Sequence, residues 1–233
     1  MSEFSDKVRG VDQLPLFPLP VVLFPATPLP LHIFEPRYRQ MLKDIQVTNN
    51  LFGVSYFDAG ESDITRPELG TLGCVAELRD VQQLEDGRSN ILSVGIIRYR
   101  LEDYVEANEP YLVGEVSYFE DEPEDEELLQ PRARVVQDLF MRVARAVRQL
   151  SGDRSELPDL PATSPEQLSY FIAAAIEFDI KLKYEMLELR STSERLRRLH
   201  ELLSQAVQQL EERANIHKIA QSNGHSKKKI DLE

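Results

Sequence analysis

The sequence has almost none of the residues that build covalent cross-links or thiolate metal sites. Its 233 residues include one cysteine, Cys74, and no tryptophan. A single thiol excludes an internal disulfide and a cysteine-based zinc site. The four histidines are far apart and have no second histidine or cysteine at the spacing of a metal-binding motif. We therefore expect no bound metal and no cofactor, and we interpret Cys74 as an inert thiol in the core.

The sequence also lacks a long hydrophobic run. A transmembrane helix needs ~20 consecutive apolar residues, whereas the longest apolar stretch here, residues 19–25, is broken by Pro20 and ends at Pro25. The first 13 residues are polar and lack the apolar segment of a signal peptide. These absences favour a cytoplasmic protein that does not associate with a membrane.

Positive charge is scarce, since 40 acidic and 27 basic residues give a formal net charge of −13. An acidic surface repels nucleic-acid phosphates unless a basic patch is set apart from it. Two predicted helical faces carry arginine clusters: Arg142, Arg145 and Arg148, and then Arg195, Arg197 and Arg198. We interpret both as solvent-exposed faces paired with nearby glutamates, and an RNA site on one of them stays open as the alternative.

Proline is frequent in the first part of the chain, with six prolines between residues 14 and 34. Because proline has no N–H, these segments are predicted to be edge strands or tight corners of a small barrel. Alternation over residues 72–78 predicts a strand with one buried face, and Asp86-Gly87 predicts the turn of a hairpin. The return strand changes phase at Gly95, which predicts a bulge or a sharp corner there.

One helix interrupts the predicted strands. Pro36 suits its first turn, and four apolar residues recur at helical spacing, so that one face is predicted to be buried. These four residues are Tyr38, Met41, Leu42 and Ile45.

The composition changes after Phe119. Residues 120–127 comprise seven acids and one proline, which we interpret as a solvated connector or the start of a helix. Helical periodicity follows, with an apolar stripe from Val135 to Leu150, a capping box that begins at Ser164, and a leucine seam from Leu196 to Leu210.

These patterns predict an α+β fold, in which a small β-barrel with one inserted helix is followed by a C-terminal α-helical bundle. The predicted parts are a flexible N-terminus (1–12), the barrel (13–120), the helical bundle (121–218) and a flexible polar tail (219–233).

Several motifs in this order resemble those of the Lon N-terminal substrate-binding family. The opening motifs are LFPL at 16–19, VLFP at 22–25 and PLPLHIFEPRY at 28–38. The later ones are GTLGCVAE at 70–77, Asp86-Gly87, Asn90–Leu92, Gly95 with Arg98–Arg100, Ser164–Leu168 and Glu194–Leu196. The resemblance extends over residues 14–209. One departure is Ala26, where the family often has glycine, which puts the local turn geometry in question.

The resemblance implies a PUA-like barrel, a helical bundle, and a role in recognising unfolded or tagged proteins. In Lon proteases this region precedes an ATPase module and a Ser–Lys protease domain. No glycine here begins the Gly-Lys-Ser/Thr end of a phosphate loop. We therefore expect a binding module and no enzyme.

The strand-to-helix joint is the candidate binding site, because a groove can form where the only helix of the barrel half begins. It contains Phe34, Glu35, Arg37, Tyr38 and Met41. The alternative is that these residues are structural, with the apolar ones burying the helix and Glu35 and Arg37 capping it or forming a local pair.

The resemblance thus favours a non-catalytic module that binds unfolded or degron-bearing proteins, with an adaptor role towards a protease or chaperone in protein quality control. The alternative function is a PUA-like protein associated with RNA or the ribosome. Salt dependence separates them, because phosphate contacts weaken steeply with salt and apolar capture does not.

Overall fold

The computed structural model describes residues 6–57, 66–152 and 163–223. Within these ranges the chain forms one mixed sheet of six strands, together with five helices of nine or more residues. This agrees with the predicted α+β class. The strands are β1 (Gln13–Leu19), β2 (Pro28–Ile33), β3 (Leu51–Tyr56), β4 (Leu72–Gln83), β5 (Ser89–Val105) and β6 (Leu112–Phe119). The helices are α1 (Pro36–Gln46), α2 (Glu126–Ser151), α3 (Pro165–Ala175), α4 (Ile180–Glu188) and α5 (Thr192–Asn223).

The strand order in the sheet is β2-β5-β4-β3-β1-β6, and β6 also pairs with β5. The pairings among β5, β4, β3, β1 and β6 therefore form a closed circuit. The long β5 makes this possible, because its first half pairs with β2 and its second half pairs with β6. β1 and β3 are parallel, and the other pairs are antiparallel.

The prolines of β1 do not confine it to an edge, so that part of the sequence prediction is wrong. Residues 13–16 of β1 pair with β6, and residues 16–19 pair with β3. Pro15 and Pro18 thus each lie where β1 is registered with one neighbour only, which a residue without an N–H tolerates. β2 is an edge strand as predicted, since among the described residues it pairs with β5 alone.

The start of β4 is buried on both faces, whereas alternation predicted one buried face. Residues 72–76 are all buried because a hydrophobic cluster covers each side of the sheet. Cys74 and Ala76 belong to the cluster beneath α1, together with Tyr38 and Met41. Val75 belongs to the other cluster. The predicted face of α1 is confirmed, because its buried residues are Tyr38, Met41, Leu42 and Ile45.

The predicted hairpin turn and the predicted bulge are both present. The turn contains Gly87 at a φ of +79°, a conformation that glycine adopts without cost. In the β4–β5 ladder, Val75 pairs with Ile97 while Ala76 pairs with Gly95, so Ile96 is the extra residue. The phase change at Gly95 is therefore a β-bulge.

A tight turn at residues 24–27 is docked on the Gly95 bulge. The Ala26 amide donates to the Gly95 carbonyl at 2.8 Å, and the Gly95 amide donates to the Thr27 carbonyl at 3.0 Å. A Cβ on Gly95 would lie 2.2 Å from the carbonyl oxygen of Phe24. Ala26 has a φ of +59°, the left-handed region that favours glycine. The turn that the Ala26 departure put in question therefore forms with alanine in a strained conformation.

A buried arginine ties three segments of this part of the chain together. Arg98 and Asp121 are 1% and 4% exposed, and Arg98 Nη2 lies 2.5 Å from Asp121 Oδ1. Arg98 Nη1 donates to the carbonyls of Leu187 and Leu189 at the end of α4. Asp121 also accepts from Tyr170 Oη at 2.9 Å and from Thr192 Oγ1 at 2.7 Å. The interpretation of residues 120–127 as a solvated connector is therefore wrong for Asp121.

The chain divides into two compact units. One contains the residues up to Pro123 together with Tyr170–Thr192, and the other contains Glu124–Ser169 and the residues from Ser193 onward. The first unit therefore includes a helical segment that sequence patterning grouped with the bundle. The predicted boundaries at 12, 120 and 218 stay predictions.

In the second unit, the sequence predicted the ends of the helices better than it predicted which helix faces are buried. Asp125 caps α2 by accepting from the Glu127 amide, and Gly152 ends it at a φ of +73°. The Ser164 side chain accepts from the Gln167 amide at 3.3 Å, as the capping box predicts. The stripe predicted for α2 is only partly right, because Val135 and Val147 are about half exposed. Among the described residues of α5, the buried apolar ones are Leu196, Leu199, Leu203 and Val207.

Replacing Gly95 with valine is expected to lower the free energy of unfolding by about 1–3 kcal/mol, because its Cβ collides with the Phe24 carbonyl. Ala26→Gly in the same turn is the matched control, and we expect it to change stability by less than about 1 kcal/mol. Urea unfolding of both variants tests this. Equal stability of the Gly95→Val variant and the wild type would contradict the steric account.

Replacing Arg98 with methionine is expected to lower the free energy of unfolding by about 3–5 kcal/mol, because it leaves the Asp121 carboxylate buried without its counter-ion. Asp121→Asn in the Arg98→Met background should then cost less than it does in the wild type. A double-mutant cycle by chemical denaturation measures this coupling, and additive effects would show that the pair is energetically independent.

Candidate functional site

The candidate site lies where β2 ends and α1 begins. β2 ends at Ile33, which is buried, and Glu35 is the N-cap residue of α1. Phe34 stands between them and is 58% exposed. Its neighbours on both sides are held in regular structure, so this large aromatic ring is presented to solvent from a fixed backbone.

An ion pair follows Phe34 at the start of α1. Arg37 Nη2 lies 2.8 Å from Glu35 Oε2, and both side chains are largely exposed, at 52% and 39%. The Arg37 guanidinium also lies over the Tyr38 ring, 4.6 Å from its centroid, at a cation–π distance. Burial raises the pKa of the Tyr38 hydroxyl. The tyrosine therefore acts here as a neutral platform for Arg37.

The five predicted site residues divide into two groups. Phe34, Glu35 and Arg37 are on the surface, whereas Tyr38 and Met41 are 6% and 1% exposed and belong to the core beneath α1. The structural alternative is therefore right for Tyr38, Met41 and the Glu35–Arg37 pair, and wrong for Phe34. A binding role for these residues stays a prediction.

His32 adds to this surface. It is exposed, its Nδ1 lies 2.7 Å from Asn90 Oδ1, and its ring stacks on Phe34 with centroids 6.1 Å apart. The alternation of Leu31, His32 and Ile33 in an edge strand is the sequence feature that places His32 outward.

A concave surface, which we call the basic groove, adjoins this joint. It lies between α1 and the β4–β5 hairpin, with a volume of about 180 Å³. Its lining includes Arg39, Leu42, Lys43, Leu84, Gly87 and Arg88. Sequence patterns do not reveal this groove, because its cations come from segments more than 40 residues apart.

Two arginines of the second predicted cluster are paired with carboxylates. Arg197 pairs with Glu194 and Glu201, and Arg198 pairs with Glu194, as predicted for solvent-exposed faces. These arginines hold the pKa of the Glu194 carboxyl at about 2. Arg195 departs from the prediction, since it is fully buried and donates to Ser169 Oγ at 2.7 Å.

A groove of about 460 Å³ is present in the second unit. Its lining includes Leu128, Val135, Arg197 and His200. Leu128 is 78% exposed.

Among the described residues there is no group of three or more histidine, cysteine or acidic side chains arranged to hold a metal ion.

The sequence matches the family described as the ATP-dependent protease La (LON) substrate-binding domain over residues 13–205. The chain belongs to this family. Lon protease 2 of Herpetosiphon aurantiacus is 27% identical over 201 residues, which is 85% of this chain and 24% of that protein. Lon protease 2 of Bdellovibrio bacteriovorus is 26% identical over 206 residues, or 86% of this chain and 26% of that protein. The chain thus spans about a quarter of the length of these curated relatives.

Solved structures of Lon N-terminal domains share the fold. A Lon N-terminal domain protein from Xanthomonas campestris superposes with a TM-score of 0.57 at 24% identity, covering 81% of this chain and 97% of that one. The N-terminal domain of the Mycobacterium avium complex Lon protease gives a TM-score of 0.57 at 16% identity, covering 82% of this chain and 98% of that one.

Within the ranges described above, no helix is both long enough and apolar enough to span a membrane.

Cys74 is expected to be unreactive in the folded protein. Burial raises the pKa of its thiol to about 12, so at pH 8 almost no molecules carry the thiolate that attacks an electrophile. Iodoacetamide labelling followed by mass spectrometry should show modification in denaturant and almost none without it. Rapid labelling of the native protein would contradict the buried position.

Proposed function

We propose that this chain is a protein-binding module that recognises exposed apolar segments of unfolded or degron-bearing proteins and has no catalytic activity of its own. Membership of the Lon substrate-binding domain family supports a role in substrate recognition. The observation that carries the proposal is Phe34, an aromatic side chain 58% exposed at a strand-to-helix joint.

The surroundings of Phe34 suit the capture of an apolar side chain. Burying an aromatic ring contributes on the order of 2–3 kcal/mol, and binding hot spots are commonly aromatic residues and arginines. Arg37 supplies the arginine, held by Glu35 and by the Tyr38 ring. A fixed backbone at Ile33 and Glu35 means that little conformational entropy is lost when a ligand covers Phe34.

We propose that the closed circuit of five strands is the PUA-like barrel and that α1 is the helix inserted in it. The C-terminal helices would form the bundle. The circuit of pairings supports the barrel, and the buried leucines of α5 support the bundle.

We propose that this module acts as an adaptor and delivers bound clients to a protease or a chaperone in the cytoplasm. The match covers the substrate-binding domain of the family, and this coverage supports recognition as the function of residues 13–205.

Phe34→Ser is expected to weaken binding of a reduced, unfolded protein by about tenfold, because it removes the apolar anchor. Arg37→Ala should weaken it less and leave the melting temperature unchanged, since the side chain is half exposed. Leu69→Ser is the matched control, because Leu69 is 56% exposed in the same unit and away from the joint. Fluorescence anisotropy with a labelled client measures all three.

The folded form of the same client is expected not to bind. Equal binding by the Phe34→Ser variant and the wild type would place the site elsewhere. Loss of binding between low and high salt, together with competition by RNA, would instead favour the nucleic-acid alternative.

A further inference from the structure

The basic groove concentrates positive charge on a chain whose net charge is −13. Arg39 and Lys43 are four residues apart on α1, so they lie on one face of the helix. Neither is paired with a carboxylate of the described residues, whereas Arg88 is held by Asp86 at 2.5 Å. The groove therefore contains two cations that are free to bind an anion.

The Arg39 guanidinium is positioned by the hairpin turn. A Cβ on Gly87 would lie 2.2 Å from Arg39 Nη2, so the guanidinium rests directly on the glycine backbone. A larger residue at this turn would displace it. The guanidinium thus lies at the rim of the groove, against the hairpin turn.

The basic groove is continuous with the surface around Phe34. Ser89 lines the groove, and in the β2–β5 ladder it pairs with Ile33, the residue before Phe34. From the other side, α1 begins two residues after Phe34 and carries Arg39 and Lys43. One extended polypeptide that covers Phe34 can therefore reach the groove.

We propose that the basic groove binds acidic side chains that flank the apolar segment captured at Phe34. This inference rests on the proposed function and names its substrate class: unfolded segments in which aspartate or glutamate lies next to apolar residues. Within the Debye length of about 8 Å at physiological salt, the local cations outweigh the distant acidic surface. The hairpin beside the groove carries Glu85 and Asp86, and Asp86 is already bound to Arg88. On the helix side, Glu35 is bound to Arg37, and Asp44 accepts from Gln40 and Tyr111.

Acidic side chains fit this groove better than the carboxylate of a chain end. Sites for a terminal carboxylate use free backbone N–H groups. At this turn the amides of Leu84, Gly87 and Arg88 already donate to acceptors within the hairpin. Side-chain cations are therefore the ligands that the groove offers, and these bind a carboxylate at any position along a polypeptide.

The test uses three labelled peptides with one apolar core and the full-length protein. The first has glutamates beside the core and an amidated end. The second has glutamines in their place, and the third has glutamines and a free terminal carboxylate. At low salt we expect the glutamate peptide to bind about five- to tenfold more tightly than the other two. Lys43→Glu should abolish this preference, and Arg39→Gln should reduce it.

Lys181→Glu makes the same change of charge on α4, at an exposed lysine outside the groove, and is expected to keep the preference. Melting curves for each variant show whether the fold is intact. If the wild type binds the glutamate and glutamine peptides equally, the inference is overturned and apolar capture stands. If it binds none of them, both proposals fail.

Two further results would also overturn the inference. Tight binding of the free-carboxylate peptide would assign the groove to a chain end. An equal loss of preference in the Lys181→Glu and Lys43→Glu variants would show a general effect of charge.

Discussion

The first unit depends on the neutralisation of one buried guanidinium. Arg98 enters the interior from β5 and is almost fully excluded from water. A buried cation is tolerated only when anions and carbonyls replace its hydration shell. Asp121 and the carbonyls of Leu187 and Leu189 do this. The requirement therefore fixes where the segment after β6 and the end of α4 must lie.

This requirement explains how a helical segment late in the sequence becomes part of the sheet-containing unit. The last carbonyls of a helix have no partner within it, and a cation near them is favourable. Arg98 satisfies two such carbonyls at the end of α4, while the carboxylate of Asp121 receives Tyr170 and Thr192. One ion pair thus connects residues that are up to 94 positions apart in the chain.

Periodicity predicted the parts of the fold in which neighbours along the chain decide burial. The four apolar residues of α1 and the bulge at Gly95 are examples, because each follows from local spacing. Arg98 could not be predicted this way, since an arginine in a strand next to Ile97 and Tyr99 reads as outward-facing. Asp121 was hidden in an acidic run. At the site, Tyr38 and Met41 followed the helical period, whereas the exposure of Phe34 depends on a backbone that changes from strand to helix there.

The edge strand β2 carries a further consequence. An unprotected edge offers its N–H and C=O groups to a strand of another chain. Pro28 and Pro30 are two residues apart in β2, so their backbone nitrogens face the same side of the strand. In an edge strand, the proline nitrogen, which carries no hydrogen, faces away from the sheet. The outer edge of β2 is therefore a poor template for an added strand. A polypeptide that binds here contacts side chains such as Phe34 and His32 and does not add a strand to the sheet. The protein can therefore expose an aromatic ring at this edge without aggregating through edge-to-edge strand pairing.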